Sequence, residues 1–207
     1  MPALPATFAE DVINQPARAQ FEAFLDEHRS GLNRCLDGLT EEQARRSLVP
    51  SLTTLLGLVK HATFLEKVWF DEAITGRTRA EIGIPAASGD SFVLADGDTI
   101  AGVQRAHREA CESSRRATAS LGLDDWVYGY RRGPLPLRWV YLHVLRELAQ
   151  HGGHADILRE QILNGLKTQS SERQIHPISA SRDAAGIGAI AGSPRPATTS
   201  RWRTRPP

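Results

Sequence analysis

The sequence predicts an all-α protein built as a four-helix bundle, on three observations. Four long segments repeat their apolar residues with the 3.6-residue period of an amphipathic helix. No stretch sustains the two-residue alternation of a half-buried strand. Three of the segments are closed by a breaker, Gly38, Gly76 or Gly165, and the last also opens after one, the GPLP run at 133–136. The long link between the second and third helices predicts a crossover connection.

Each element has its own justification. Residues 16–36 form the first helix, with Phe21, Phe24, Leu25, Leu32 and Leu36 on one stripe. Thr40-Glu-Glu-Gln43 reads as a capping box opening a short helix. The second helix spans residues 51–74 and stops at Gly76. Residues 76–97, carrying Pro, Gly, Ser and Asp, form the long loop. The third helix spans 98–121, and the irregular stretch WVYGYRRGPLP after it has room for a short extended piece. The fourth helix spans 137–163, with Gly165 as its stop. Residues 1–167 are thus one bundle domain, and 168–207 a disordered tail. That tail is rich in Ser, Gly, Pro and Arg and too poor in bulky apolar residues to offset its ordering entropy.

Composition narrows the function classes. The chain of 207 residues is 41% hydrophobic and 24% charged, ordinary for a soluble domain. Its net charge of +1 predicts no nucleic-acid or membrane partner. From Thr168 onward six arginines face two acids, net +4, so the first 167 residues carry −3. Cys35 and Cys111 lie far apart and in no CxxC pattern, which predicts reduced thiols rather than a disulfide framework. The N-terminus has no basic start followed by an apolar run, and no segment has 18 consecutive apolar residues. The expectation is a cytoplasmic protein. Trp69 and Phe70 read as exposed and would permit a homodimer interface.

The chemistry concentrates in LRELAQHGGHADILREQI, residues 145–162. At about 100° per residue, His143, Glu147, His151 and His154 fall on one stripe, which they share with Val140 and Leu158. A buried charge needs a partner, and residues i and i+4 are helix neighbours, so Glu147 and His151 suit metal chelation. A single histidine on an apolar face is usually a hydrogen-bonded core residue; three with a glutamate are harder to explain by packing. His143 and His154 read as site lining. A catalytic zinc takes three protein ligands and a water, so a third must come from another helix. His61 is the candidate, because Leu58, Leu65 and Val68 lie on its side of the second helix. His107 sits amid charge and reads as solvated; His28 and His176 carry weaker signals. Gly152 and Gly153 cost roughly 1 kcal/mol each against alanine, so they imply either close approach of another helix or open space beside the ligands.

The segments HATFLE and LRWVYLHVLRELAQHGGHADILRE resemble the DinB-like metal-binding four-helix bundles, nearest their actinobacterial mini-circle-type branch. The resemblance covers about residues 16–165. In that superfamily one ligand comes from the second helix and two from a His-x-x-x-His or Glu-x-x-x-His pair on the fourth. His61 matches the first; Glu147 and His151 match the Glu-containing version, as in mycothiol-dependent maleylpyruvate isomerase. His154 stands where many relatives have Gln after an Arg-Gly step, and is not an expected ligand. The superfamily includes S-transferases that use mycothiol, bacillithiol or glutathione, some metal-dependent hydrolases, and many members of unknown activity.

The resemblance implies a divalent metal, zinc first and nickel, manganese or iron also compatible with mixed His/Glu ligation. It implies a thiol cofactor of the mycothiol type, activated as a thiolate to attack a small electrophilic substrate. Arg131 and Arg132, entering the fourth helix, could hold an anionic cofactor or substrate; solvated surface arginines are the plainer reading. Two alternatives stand beside the S-transferase or isomerase: a hydrolase using metal-bound water, and a non-enzymatic binding or stress-response bundle.

Overall fold

A computed structural model of the chain describes residues 8–174, with side-chain surroundings for residues 8–165. A 3-10 turn, Ala9–Val12, precedes the helices. These are α1 (Ala17–Arg34), α2 (Glu41–Arg45), α3 (Leu55–Lys67), α4 (Ala73–Thr75), α5 (Arg79–Ile82), α6 (Ile100–Thr118) and α7 (Leu137–Gln174). A π-turn, Val68–Glu72, joins α3 to α4, and a 3-10 turn, Gly89–Phe92, precedes α6. α1 packs along α7 and α3 along α6, while α3 also meets α7. The all-α bundle is as the periodicity predicts.

Local chemistry explains the boundaries. Thr54 and Thr99 each accept a hydrogen bond from the backbone three residues on, which caps α3 and α6. The capping box at Thr40 and Gln43 forms with both of its bonds. Gly76 closes α4 with φ +73°, a left-handed conformation that an L side chain resists. The core runs from Leu25, Leu32 and Leu36 through Leu55, Leu58, Val59 and Ala62 to Val140, Val144, Leu148, Leu158 and Ile162. Several of these leucines are fully buried, each stabilising the fold by about 1.5–3 kcal/mol relative to exposure.

The stretch before α7 holds the extended piece. Strands β1 (Trp126–Val127) and β2 (Leu135–Pro136) pair antiparallel, Val127 opposite Leu135. The hairpin docks on the end of α4, where the Gly129 N–H donates to the Ala73 carbonyl at 2.9 Å. A Cβ at Gly129 would lie 2.1 Å from the Glu72 carbonyl oxygen, so only glycine allows this approach.

Three expectations need correction. Trp69 and Phe70 are buried, not exposed, so they offer no dimer surface. The cause is the π-turn: its i→i+5 bonding inserts a residue, and Val68, Trp69 and Phe70 all turn inward. Phe24 leaves the core stripe and is 42% exposed. The fourth helix does not stop at Gly165 but continues to Gln174, past the predicted start of the tail. One interior glycine costs only about 1 kcal/mol, and the next proline is Pro177. The remainder of the predicted tail, residues 175–207 with His176, lies outside the described residues.

Candidate functional site

α3 and α7 bring three predicted residues together. His61 is 3% exposed, and its ring meets that of His151 edge-on with centroids 4.7 Å apart. Glu147 lies one turn before His151, with Oε2 3.9 Å from His151 Nε2. One turn earlier again, His143 Nε2 is 3.8 Å from Glu147 Oε1. The i, i+4 spacing thus places the carboxylate between two imidazoles, as the stripe predicts.

The surroundings are aromatic. Phe92 stacks on His61 at 4.0 Å, 17° from parallel. Trp69 lies 4.2 Å from His143, and Trp139 stacks on His143 at 4.9 Å. Tyr130 of the hairpin packs on Trp69 at 5.0 Å. His154 is exposed, its ring 5.8 Å from that of His151, at the edge of the cluster.

Burial sets the protonation states. It pushes His61 down to about 4, helped by the like charge His151 would carry and opposed by Glu147. Burial also lowers His143 and His151. Desolvation alone would raise Glu147, but the Arg146 hydrogen bond and the adjacent imidazoles outweigh it and hold the carboxyl below its usual range. At neutral pH the cluster is therefore three neutral imidazoles and one carboxylate, the forms in which these side chains ligate metals.

Does this donor set fit a divalent cation? His151 Nδ1 is buried without a hydrogen-bond partner, an unsatisfied lone pair or N–H of the kind proteins seldom tolerate outside functional sites. The two nitrogen donors and the single negative charge suit zinc in kind. Among the described residues, however, no three such donors already converge closely enough to hold an ion together. Glu147 is drawn aside by Arg146, whose Nη2 donates to Oε1 at 2.7 Å. The residues fit in chemistry, and ligation requires that carboxylate to turn.

The other predicted residues fall differently. Gly152 and Gly153 face open space, since a Cβ at either would meet nothing within 4 Å. That decides against close helix approach. They border a groove of about 330 Å³ between α1 and α7, with Glu27, His28, Gly31 and Asp156. Arg131 and Arg132 are exposed at the hairpin turn. Periodicity gave no sign of Ser91 and Phe92, which reach His61 from the loop. Trp139 was legible, one turn before His143 on the same stripe.

A second histidine cluster reverses an expectation. His107 is not solvated but fully buried, because α6 turns it against α1. Asn33 Nδ2 donates to His107 Nδ1 at 3.1 Å, its amide oriented by Arg108, which donates to Oδ1. His107 Nε2 therefore carries the ring proton, 3.5 Å from Cys111 Sγ. Cysteine, histidine and asparagine stand in the order of a nucleophilic triad, but a protonated Nε2 cannot accept the thiol proton. Burial also drives the Cys111 thiol far above its usual range and His107 down to about 4. This cluster is structural.

A helical bundle that sets a histidine of one helix against a Glu-x-x-x-His pair of another fits the DinB-like class that the sequence resembles. Within that class, the mycothiol-S-transferase family model matches residues 20–164, and the chain belongs to this family. No match is found among curated proteins or solved structures.

Proposed function

We propose that the protein is a metal-dependent S-transferase that joins a mycothiol-type thiol to a small electrophile. The observation that carries this reading is the meeting of His61 with Glu147 and His151 across two helices, in a chain of this family. His61, Glu147 and His151 would hold the cation. A divalent cation bound there supplies deprotonation of a thiol at neutral pH.

The chain's own residues do the rest. The two neutral imidazoles offer nitrogen lone pairs, and Glu147 offers the compensating negative charge. Phe92, Trp69 and Trp139 wall the cluster with aromatic surface. His143 lies against Glu147 and limits where its carboxylate can swing. Arg131 and Arg132, on the hairpin that reaches Trp69 through Tyr130, would meet anionic groups of the thiol or its substrate. In the transfer the sulfur forms a bond to carbon, the carbon–leaving-group bond breaks, the leaving group departs with the electron pair, and the thiol proton passes to water.

The test incubates purified protein with mycothiol and a small haloarene, with and without zinc, and follows adduct and halide release. The reading expects zinc-stimulated, thiol-dependent turnover that falls at least about 100-fold in His151→Ala. Turnover of an ester without any thiol, and none of the haloarene, would instead identify a hydrolase.

A further inference from the structure

We infer that Ser91 is a positioning residue for His61, and that the Gly89–Phe92 turn exists to hold it there. The inference deepens the proposed function, on whose reading of His61 it rests.

Ser91 is 1% exposed, and its hydroxyl has two neighbours. Oγ lies 2.5 Å from the Ser88 carbonyl oxygen and 2.6 Å from His61 Nδ1. A carbonyl can only accept, so the single hydroxyl proton goes to Ser88. Oγ then has only lone pairs for His61, and Nδ1 must be the donor. This fixes the tautomer: the proton sits on Nδ1, and the lone pair is on Nε2. Phe92, the next residue, stacks on the same ring at 4.0 Å and fixes its plane. One turn thus sets both the rotation and the tautomer of His61. A hydrogen bond to the non-ligating nitrogen is how metal-binding histidines are oriented.

α3 grips this turn with one face. Gly57 packs beneath it, and a Cβ there would lie 3.1 Å from the Phe92 carbonyl oxygen and 3.0 Å from the Thr54 hydroxyl. Lys60 donates to the Val93 carbonyl at 2.8 Å and pairs with Asp98 at 2.7 Å. Gly57, Lys60 and His61 are spaced i, i+3 and i+4, so three contacts of one helical face seat the loop.

The test reads the tautomer directly in metal-free protein, by long-range ¹H–¹⁵N correlation of the histidine rings at pH 8. Wild type should show His61 protonated on Nδ1. Ser91→Ala should lose that single tautomer and weaken zinc binding about 10- to 100-fold, and Ser91→Thr, which keeps the hydroxyl, should restore both. An Nε2-protonated His61 in wild type overturns the inference, as does a Ser91→Ala protein that retains both the Nδ1–H tautomer and wild-type zinc affinity. The two readings separate cleanly. A wild type with the expected tautomer but no zinc binding sinks the metal reading and leaves the positioning role supported. The wrong tautomer with tight zinc binding does the reverse.

Discussion

The molecule holds a partly buried cluster around His151 and a fully buried one around His107, and they differ in how completely they are satisfied. Around His107 the groups interlock. Arg29 meets Glu66 through two hydrogen bonds of 2.8 and 2.7 Å and also reaches Asp26, while Asn33 and Cys111 occupy both nitrogens of His107. Around His151 the pairing is incomplete: Nδ1 has no partner, and Glu147 stands 3.8–3.9 Å from two imidazoles without bonding either. A closed network specifies a packing; an open one leaves donors and lone pairs for something else. The same residue types serve structure in one place and offer a site in the other.

Breaking the closed cluster should have the largest effect on the fold. Glu66→Ala leaves Arg29 buried with Asp26 as its one remaining carboxylate and should destabilise the protein by about 3 kcal/mol, read by urea unfolding. Losing less than about 1 kcal/mol would erase the contrast between the clusters. The closed cluster should also weaken in acid. His107 is held near pKa 4 by burial, against about 6.5 in the unfolded chain, so the unfolded state binds the proton first. Its contribution is complete above pH 6.5 and is lost as the pH falls toward 4, a loss of about 3 kcal/mol at pH 4. Glu66, held below its usual value chiefly by Arg29 against the desolvation that would raise it, adds a loss of the same sign at lower pH. Stability that is flat from pH 7 to 4 would contradict this burial.

Substitution in the open cluster should cost the fold far less. His151→Ala removes an unsatisfied group and should change stability by less than about 1 kcal/mol while abolishing thiol transfer. Smallest of all, Gly152→Ala and Gly153→Ala should each stabilise by about 0.5–1 kcal/mol, raising Tm, because the new methyl meets nothing. If the variants also raise KM for the thiol, the groove beside them holds part of it.

Much of the fold and part of the site are legible in the sequence. Periodicity found the four bundle helices, and the 100° wheel put His143, Glu147 and His151 on one face because that geometry is local. His61 was reachable as an inward residue of another helix. What escaped notice depends on tertiary packing. The π-turn that buries Trp69 and Phe70 leaves no trace in spacing. His107 is surrounded in sequence by charges, yet Arg105 is exposed and Arg108 pairs with Asn33 of α1 beside the buried ring. Ser91 and Phe92 belong to a loop without period, and only the docking of that loop onto Gly57 and Lys60 makes them neighbours of His61. The helix passed Gly165 because propensity is a weak force against a continuing helix.

The most direct measurement is zinc stoichiometry by competition titration, comparing wild type with His151→Ala from the open cluster and Cys111→Ala from the closed one. One zinc per chain in wild type and Cys111→Ala, and none in His151→Ala, is the predicted result. Equal zinc binding by all three proteins, or none by wild type, would contradict the claim that the unsatisfied cluster is the functional site.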